Sequence, residues 1–129
     1  MKLLLDTHIW LWYSLAPERL SGELANSIAD PKNELWLSPI SVWEAMLLAQ
    51  RGRLSLEDDL SAWIQSVLQT LEMQEATLNH TIAILSRTID LPHQDPADRF
   101  LAATAIFYDL TLATVDQNLV SSAAVNTIS

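Results

Sequence analysis

Short apolar segments alternate with longer helical segments along this chain, and this alternation constrains the fold more than any other feature. The predicted strands cover residues 2–5 ("KLLL"), 34–37 ("ELWL") and 110–116 ("LTLATVD"), with weaker candidates at 72–76 and at "VNTI" near the end. The predicted helices cover residues 9–16, 21–29, 38–50, 56–71, 78–88 and 95–109. Strands separated by helices are typical of an α/β fold with a parallel sheet, and right-handed crossovers would place helices on both faces.

Length and composition narrow the class of protein further. The chain has 129 residues, half of them hydrophobic, which predicts a single domain over residues 1–129. It contains no cysteine, so disulfides, thiolate metal sites and cysteine nucleophiles are excluded. No apolar run approaches the roughly 20 residues that a membrane helix needs, and Asp6 interrupts the first apolar stretch too early for a signal peptide. We therefore expect a cytoplasmic protein without a membrane partner.

The charge is strongly acidic, with 16 acidic residues, 7 basic residues and a net charge of −9. This balance argues against nucleic-acid binding through a broad basic surface. It permits an acidic metal site and leaves room for a basic protein partner. An acidic protein that acts on a polyanion would need cations at the point of contact.

Acidic residues fall where predicted strands end and where predicted helices begin. Asp6 ends the first strand and Asp116 ends the strand "LTLATV". In a parallel sheet both lie at the carboxyl edge, where open α/β sheets bind ligands. The helices over 38–50 and 95–109 would begin at that edge too. The acids predicted to meet there are Asp6, Glu44, Asp98 and Asp116, with Asp95 beside them.

Each of these acids also has a purely structural interpretation. Asp6 and Asp116 could be turn residues, and Asp95 and Asp98 could cap the helix that they begin. Glu44 could complete a capping box with Ser41. However, the helix around Glu44 is apolar nearly all round and is predicted to be buried, where a lone carboxylate is costly.

Clustered carboxylates repel one another unless a cation neutralises them. Oxygen ligands in a chain without cysteine suit Mg²⁺ or Mn²⁺, and such ions serve phosphate chemistry. Arg99 could pair with one of the acids or contact a phosphate. His8 and His93 flank acidic positions, but the histidines show no zinc-ligand spacing. The five tryptophans are predicted core residues, with Trp10, Trp12 and Tyr13 as an alternative partner surface.

Four segments in order resemble PIN-domain ribonucleases, and in particular the small VapC-type toxins of toxin–antitoxin pairs. These segments are "LLLDTHIWLW", "LSPISVWEAMLLAQRGRL", "LPHQDPADRFLAATA" and "LATVDQNL". The resemblance covers the whole chain and implies a three-layer α/β/α sandwich with a mainly parallel central sheet. It implies a metal-dependent endoribonuclease that cuts structured RNA, such as tRNA or rRNA, with a metal-activated water. It also implies a homodimer and inhibition by a small antitoxin protein.

The resemblance also assigns roles to residues of this chain. It implies that the catalytic acids are Asp6, Glu44, Asp98 and Asp116. Mg²⁺ or Mn²⁺ would be held by Asp6, Asp98 and Asp116, with Glu44 acting through a water. The supporting residues would be Asp95, Thr114, Thr7 and Arg99, and whether Asp95 is a ligand or a helix cap is open.

Two other functions are compatible with an acidic α/β domain. A receiver-type signalling domain would need an acidic pair after its first strand and a late lysine, but Thr7 follows Asp6 and the only lysines are Lys2 and Lys32. A catalytically inactive PIN-fold module that binds RNA or protein is the closer alternative, and the four acids count against it.

Overall fold

The structure is a computed structural model that describes residues 1–52, 59–92 and 94–129. In these residues five strands form one sheet in the order β3-β2-β1-β4-β5, and every neighbouring pair is parallel. The strands are β1 (Lys2–Leu5), β2 (Glu34–Leu37), β3 (Gln74–Glu75), β4 (Thr111–Ala113) and β5 (Thr127–Ile128). The predicted parallel α/β fold is confirmed.

Helices connect the strands and cover both faces of the sheet. They are α1 (Thr7–Leu15), α2 (Gly22–Ala29), α3 (Pro39–Gln50), α4 (Leu60–Leu68), α5 (His80–Thr88), α6 (Pro96–Tyr108) and α7 (Gln117–Val120), with a 3-10 turn at Pro17–Arg19. Within the described ranges, none of these helices has the length and apolar content needed to cross a membrane.

The side chains of β1 divide the core into two layers. Leu3 and Leu5 are fully buried in the cluster that includes Trp10 of α1, whereas Leu4 is fully buried in the cluster that includes Leu101 of α6. Alternate residues of a strand point to opposite faces, so a strand buried on both faces is apolar throughout. The three leucines of β1 therefore sit at the centre of a three-layer α/β/α sandwich.

Helix starts follow the capping residues in the sequence. Ser21 accepts a hydrogen bond from the backbone N–H of Leu24, and Ser38 accepts one from Ile40 at the start of α3. At the other end of α3, Gly52 takes a positive φ of 74°, which suits glycine because it has no Cβ. These local signals explain why the bounds of α2 and α3 agree with the prediction.

Other predicted bounds are too long. The helix predicted over 56–71 is α4, which begins after Asp59, whose carboxylate accepts the backbone N–H of Ala62. The part of that prediction over 56–58 lies outside the described residues. The strand predicted over 110–116 ends at Ala113, because the chain then leaves the sheet to begin α7, which was not predicted. The 3-10 turn was not predicted either.

The prediction that all tryptophans are core residues is wrong for Trp43, whose side chain is 54% exposed. Only Ser41, Ala45 and Ala49 of α3 are buried, so this helix buries one narrow face and is not enclosed. Trp10 is fully buried, which removes it from the alternative partner surface on α1.

Candidate active site

The structure brings the predicted acids together at the carboxyl edge of the sheet. They line one cleft of about 330 Å³, together with His8, Trp12 and Val115. The carboxylates in its wall are Asp6, Glu44, Asp95, Asp98 and Asp116. Elements far apart in sequence supply them, because β1 and β4 end at this edge while α3 and α6 run from it. Their catalytic and metal-binding roles stay predictions.

Asp6 is the most deeply placed acid of the cleft. Only 7% of its surface is exposed. Burial raises the pKa of its carboxyl group, and this effect outweighs the hydrogen bond from Thr114, which lowers the pKa. Asp6 occupies the N-cap position of α1, but its side chain makes no capping bond there. Its carboxylate is instead directed across the sheet to β4, which does not fit an ordinary turn residue.

Thr114 links two of the acids through one buried hydroxyl. It donates a hydrogen bond to Oδ2 of Asp6 at 2.7 Å and accepts one from the backbone N–H of Asp116 at 3.1 Å. Thr114 is fully buried. Its predicted supporting position is therefore realised as a bridge between the ends of β1 and β4.

If the acids are catalytic as predicted, we expect Thr114→Val to lower the predicted nuclease activity about 10- to 100-fold, which is typical for the loss of a hydrogen-bond partner behind a metal ligand. The shape is kept, but Asp6 loses the donor that orients it and lowers its pKa. Thr104→Val is the matched control, because Thr104 is equally buried and donates within α6 to Phe100. Steady-state cleavage rates of both variants and of Thr114→Ser measure the effect. Equal activity of the two valine variants would contradict it.

Thr7 ties α1 to α3 directly behind the cleft. Its hydroxyl donates to Oγ of Ser41 at 2.9 Å, and both residues are fully buried. Glu44 lies one helical turn after Ser41, so this bond fixes the distance between the helices that carry Asp6 and Glu44. Thr7 thus connects the two helices beside the acids, and its supporting role in the site stays a prediction.

Asp98 carries the strongest electrostatic signature of the site. Its pKa is raised to about 8, first by burial and then by the negative charges of Asp95, Asp6, Asp116 and Glu44. This carboxyl group is therefore largely protonated at neutral pH as long as nothing neutralises the cluster. Such a shift is typical of functional sites that bind a cation or transfer a proton.

Two further acids combine a structural role with their place in the cleft. Oδ1 of Asp95 accepts the backbone N–H of Ala97 at 3.0 Å, so Asp95 caps α6. Oδ1 of Asp116 accepts the N–H of Asn118 at 2.9 Å and caps α7. The capping interpretation is thus realised for Asp95, whereas Asp116, which the sequence suggested as a turn residue, caps a helix that was not predicted. The charges of both still raise the pKa of Asp98. Capping and a site role are compatible, because each cap uses one oxygen of the carboxylate.

The capping-box interpretation of Glu44 is wrong. Helix α3 begins after Ser38, so Glu44 lies beyond its first turn and cannot reach back to the N-cap. Instead, Glu44 lines the cleft and contributes to the raised pKa of Asp98.

The described hydrogen bonds of Arg99 all go to backbone carbonyls, and its supporting role in the site stays a prediction. Its side chain is only 4% exposed, so it does not offer its guanidinium to a phosphate at the surface. Nε donates to the carbonyl of Ser86 at 2.7 Å, Nη1 to that of Leu91 and Nη2 to that of Ile89, both at 2.9 Å. Arg99 therefore fastens the turn between α5 and α6, which holds Asp98 indirectly.

Two wall residues of the cleft, Trp12 and Val115, were not among the predicted site residues. Trp12 follows His8 by four positions on α1, so helical spacing puts both on one face and could have placed Trp12 beside the acids. His93, noted in the sequence for its acidic neighbours, lies outside the described residues.

Two surface grooves are larger than the cleft that holds the acids. Among the described residues, a groove of about 590 Å³ borders the turn before β2, and one of about 480 Å³ lies between α3, α4 and β3. Neither gathers carboxylates from separate strand ends as the smaller cleft does. The site is therefore recognised by its chemistry and not by its volume.

The donor set of the cleft fits a hard divalent cation, since it consists of carboxylate oxygens. Across residues 1–52, 59–92 and 94–129, however, no three Asp, Glu or His side chains stand close enough to hold one ion between them. Hydrogen bonds occupy one oxygen each of Asp6, Asp95 and Asp116, and mutual repulsion opposes closer approach. Loading a cation would require these side chains to draw together.

The fold and the cleft define a three-layer α/β protein with a carboxylate-rich site at the carboxyl edge of a parallel sheet. Residues 3–124 match the family model described as PIN domain. Over 120 residues the chain is 33% identical to "Ribonuclease VapC22" of Mycobacterium tuberculosis, an alignment that covers 91% of this chain and 88% of that protein. The chain belongs to the PIN-domain family, which excludes the receiver-domain alternative.

Solved structures of low sequence identity have the same fold, among them a toxin–antitoxin complex from Klebsiella pneumoniae with a TM-score of 0.66, 18% identity and coverage of 98% of this chain and 96% of that one. The chain matches a structure of VapBC2 from Rickettsia felis bound to a promoter DNA fragment, with a TM-score of 0.70, 14% identity and coverage of 99% of this chain and 98% of that one. It matches FitAcB from Neisseria gonorrhoeae with a TM-score of 0.69, 20% identity and coverage of 98% and 96%. At these identities the matches establish the three-layer fold alone.

Proposed function

We propose that this protein is a metal-dependent endoribonuclease of the VapC type, a toxin that a cognate antitoxin protein inhibits. The observation that carries the proposal is the meeting of Asp6, Glu44, Asp98 and Asp116 in one cleft, where burial and then the neighbouring negative charges raise the pKa of Asp98 to about 8. A relative with 33% identity over most of the chain is named a ribonuclease, which supports the activity. The toxin–antitoxin complex from Klebsiella pneumoniae among the structural matches supports the protein partner.

Asp6, Asp98 and Asp116 would hold Mg²⁺ or Mn²⁺, with Glu44 acting through a water. Such an ion lowers the pKa of a bound water and neutralises the charge that develops on the phosphate during hydrolysis. Asp95 already caps α6 and would stay behind the ligands as a source of negative charge.

The chain's own residues prepare the site for this chemistry. Thr114 holds Asp6 by its Oδ2 atom, and the Thr7–Ser41 bond sets the position of Glu44 relative to it. Asp98 must release its proton to become a ligand, because metal ligands bind in their deprotonated form. Metal affinity should therefore rise with pH up to about 8, the pKa of Asp98.

The substrate that we propose is structured RNA, such as tRNA or rRNA. With a net charge of −9, the protein repels a polyanion over most of its surface. Binding then depends on a few local cations and on the charge that a divalent ion would bring to the cleft. The same acidic cleft would suit a basic segment of the antitoxin.

The test is cleavage of total bacterial RNA by the purified protein. We expect cutting with Mg²⁺ or Mn²⁺, none in EDTA, and recovery when the cation is added back. The cation should also raise the melting temperature, since a ligand at 100 times its Kd stabilises the folded state by about 2.7 kcal/mol. If the cation raised the melting temperature but no RNA were cut, the protein would instead be an inactive binding module. If EDTA changed neither RNA cleavage nor the melting temperature, the metal would be rejected.

A further inference from the structure

A second groove adjoins the acid cleft on the side of α1. It has a volume of about 240 Å³, and two of its wall residues, His8 and Trp12, also line the acid cleft. The remaining wall residues are Leu11, Leu15, Ala16, Arg19 and Leu48. The two hollows therefore share a wall, and a chain bound across the acids would continue directly into this groove.

Arg19 lies on the aromatic surface of this shared wall. Its guanidinium carbon is 4.5 Å from the centre of the Trp12 ring, within the range of a cation–π contact. Trp12 packs against the hydrophobic core and its ring centre lies 6.0 Å from that of His8. The indole is thus a fixed support, and it holds an exposed cation beside a carboxylate cluster.

The other described cations are placed differently. Lys2 begins β1 and Lys32 precedes β2, so both belong to the opposite, amino edge of the sheet, while Arg99 is buried. Arg51 follows the last residue of α3, whose first turn is the end at the site. Arg87 donates a hydrogen bond to the side chain of Gln94, the residue before Asp95. Arg19 therefore differs from these cations, because the ring on which it stacks, Trp12, is itself a wall of the acid cleft.

We propose that Trp12 and Arg19 bind the RNA nucleotide next to the cleaved bond, an inference that rests on the proposed ribonuclease function. Arg19 neutralises the phosphate of that nucleotide, and the base of the nucleotide stacks on the pair formed by the Arg19 guanidinium and the Trp12 indole. Single-stranded RNA bases commonly stack on aromatic rings and on arginine planes. Leu11 and Leu15 give the groove apolar sides against which a base can lie.

RNA fits this groove better than a protein segment because of charge. The substrate must approach five carboxylates, so a cation adjacent to them reduces the repulsion of the neighbouring phosphate. Arg19 offers a planar cation that can contact a phosphate and stack on a base at the same time.

The decisive comparison is between Arg19→Gln, in the wall of the groove, and Lys32→Gln, before β2 and outside the groove. Both substitutions change the net charge equally. With total bacterial RNA and saturating Mn²⁺, we expect Arg19→Gln to raise KM about tenfold and to leave kcat within about twofold, because one base stack and one phosphate contact are lost. Lys32→Gln should change KM less than about twofold. Arg19→Gln should also lower the slope of log Kd against log salt by about one phosphate contact.

Arg19→Lys separates the stack from the charge. Lysine keeps the positive charge but lacks the planar guanidinium, so we expect the salt slope to be retained and KM to rise severalfold. An equal KM for Arg19→Gln and Lys32→Gln would overturn the proposal. An unchanged KM together with weaker inhibition by the antitoxin would assign the groove to a protein segment. Absence of cleavage by the wild type would instead reject the proposed function.

Discussion

Asp98→Asn is expected to abolish RNA cleavage while making the metal-free protein more stable at neutral and higher pH. The substitution removes a predicted ligand of the cation, whose stabilisation of the developing charge is worth several kcal/mol, so the rate should fall more than about 1,000-fold. It also removes a carboxyl group whose ionisation the fold opposes, as the pKa of about 8 indicates. A residue that is retained for folding alone would show the opposite sign of stability change.

The pH dependence gives the sign of this effect. The pKa of Asp98 rises from 3.8 in the unfolded chain to about 8 in the fold, so the folded protein binds the extra proton between these values. The free energy of unfolding therefore falls as pH rises from about 4 to about 8. Asparagine cannot ionise, and Asp98→Asn should remove this part of the decline. Melting temperatures at pH 5 and pH 8 in EDTA, compared between wild type and variant, measure it.

Asp90→Asn is the matched control for charge, because Asp90 is exposed in the turn before α6 and lies outside the wall of the cleft. We expect it to cleave RNA at nearly the wild-type rate and to keep the wild-type difference in melting temperature between the two pH values. If Asp98→Asn retained activity, or lowered the melting temperature at pH 8, then Asp98 would serve to stabilise the first turn of α6 and would not be a metal ligand.

The meeting of the acids could be predicted because it depends on strand direction. Once β1, β2 and β4 are recognised as parallel strands, Asp6 and Asp116 must lie at one edge, and the helices that follow or precede those strands must begin there. Neither argument requires a side-chain conformation. The apolar character of "LLL" and the serines before α2 and α3 are equally local signals, and those elements have the predicted bounds.

The hydrogen-bond partners within the site could not be predicted in this way. That one hydroxyl of Thr114 joins Asp6 to Asp116 depends on the register of β1 against β4, in which Leu5 lies opposite Ala113. Apolar composition likewise predicted a buried α3, but only Ser41, Ala45 and Ala49 are buried. Val42, Met46 and Leu48 pack against the core while still partly exposed, and Trp43 is exposed. Hydrogen-bond and packing partners that come from distant parts of the chain leave no pattern at a fixed spacing in the sequence.

Arg99 illustrates the same limit most clearly. In the sequence it stands beside Asp98 and its charge suggests an ion pair or a phosphate contact. In the structure its guanidinium donates to the backbone carbonyl of Ser86 in the last turn of α5 and to those of Ile89 and Leu91 after it, ahead of the helix that presents Asp98. Sequence neighbours of Arg99 give no sign of these carbonyl partners, which lie 8 to 13 residues away along the chain.

We expect Arg99→Met to destabilise the protein by about 3–5 kcal/mol, because three hydrogen bonds to backbone carbonyls in a largely buried environment would be lost, at about 1–3 kcal/mol each. The Ile89 carbonyl would keep the N–H of Leu91, so the cost falls mainly on Ser86 and Leu91. In a chain of this size such a loss lowers the melting temperature by roughly 10 °C or more. Arg99→Lys should recover only a fraction of the lost stability, since an ammonium group cannot reproduce the fork of three directed N–H groups.

Arg87→Met is the control, as Arg87 is exposed and its described hydrogen bond is to Gln94. This substitution should cost less than about 1 kcal/mol. Urea unfolding of the three variants measures these differences, and similar midpoints for Arg99→Met and Arg87→Met would show that the turn is ordered by other contacts.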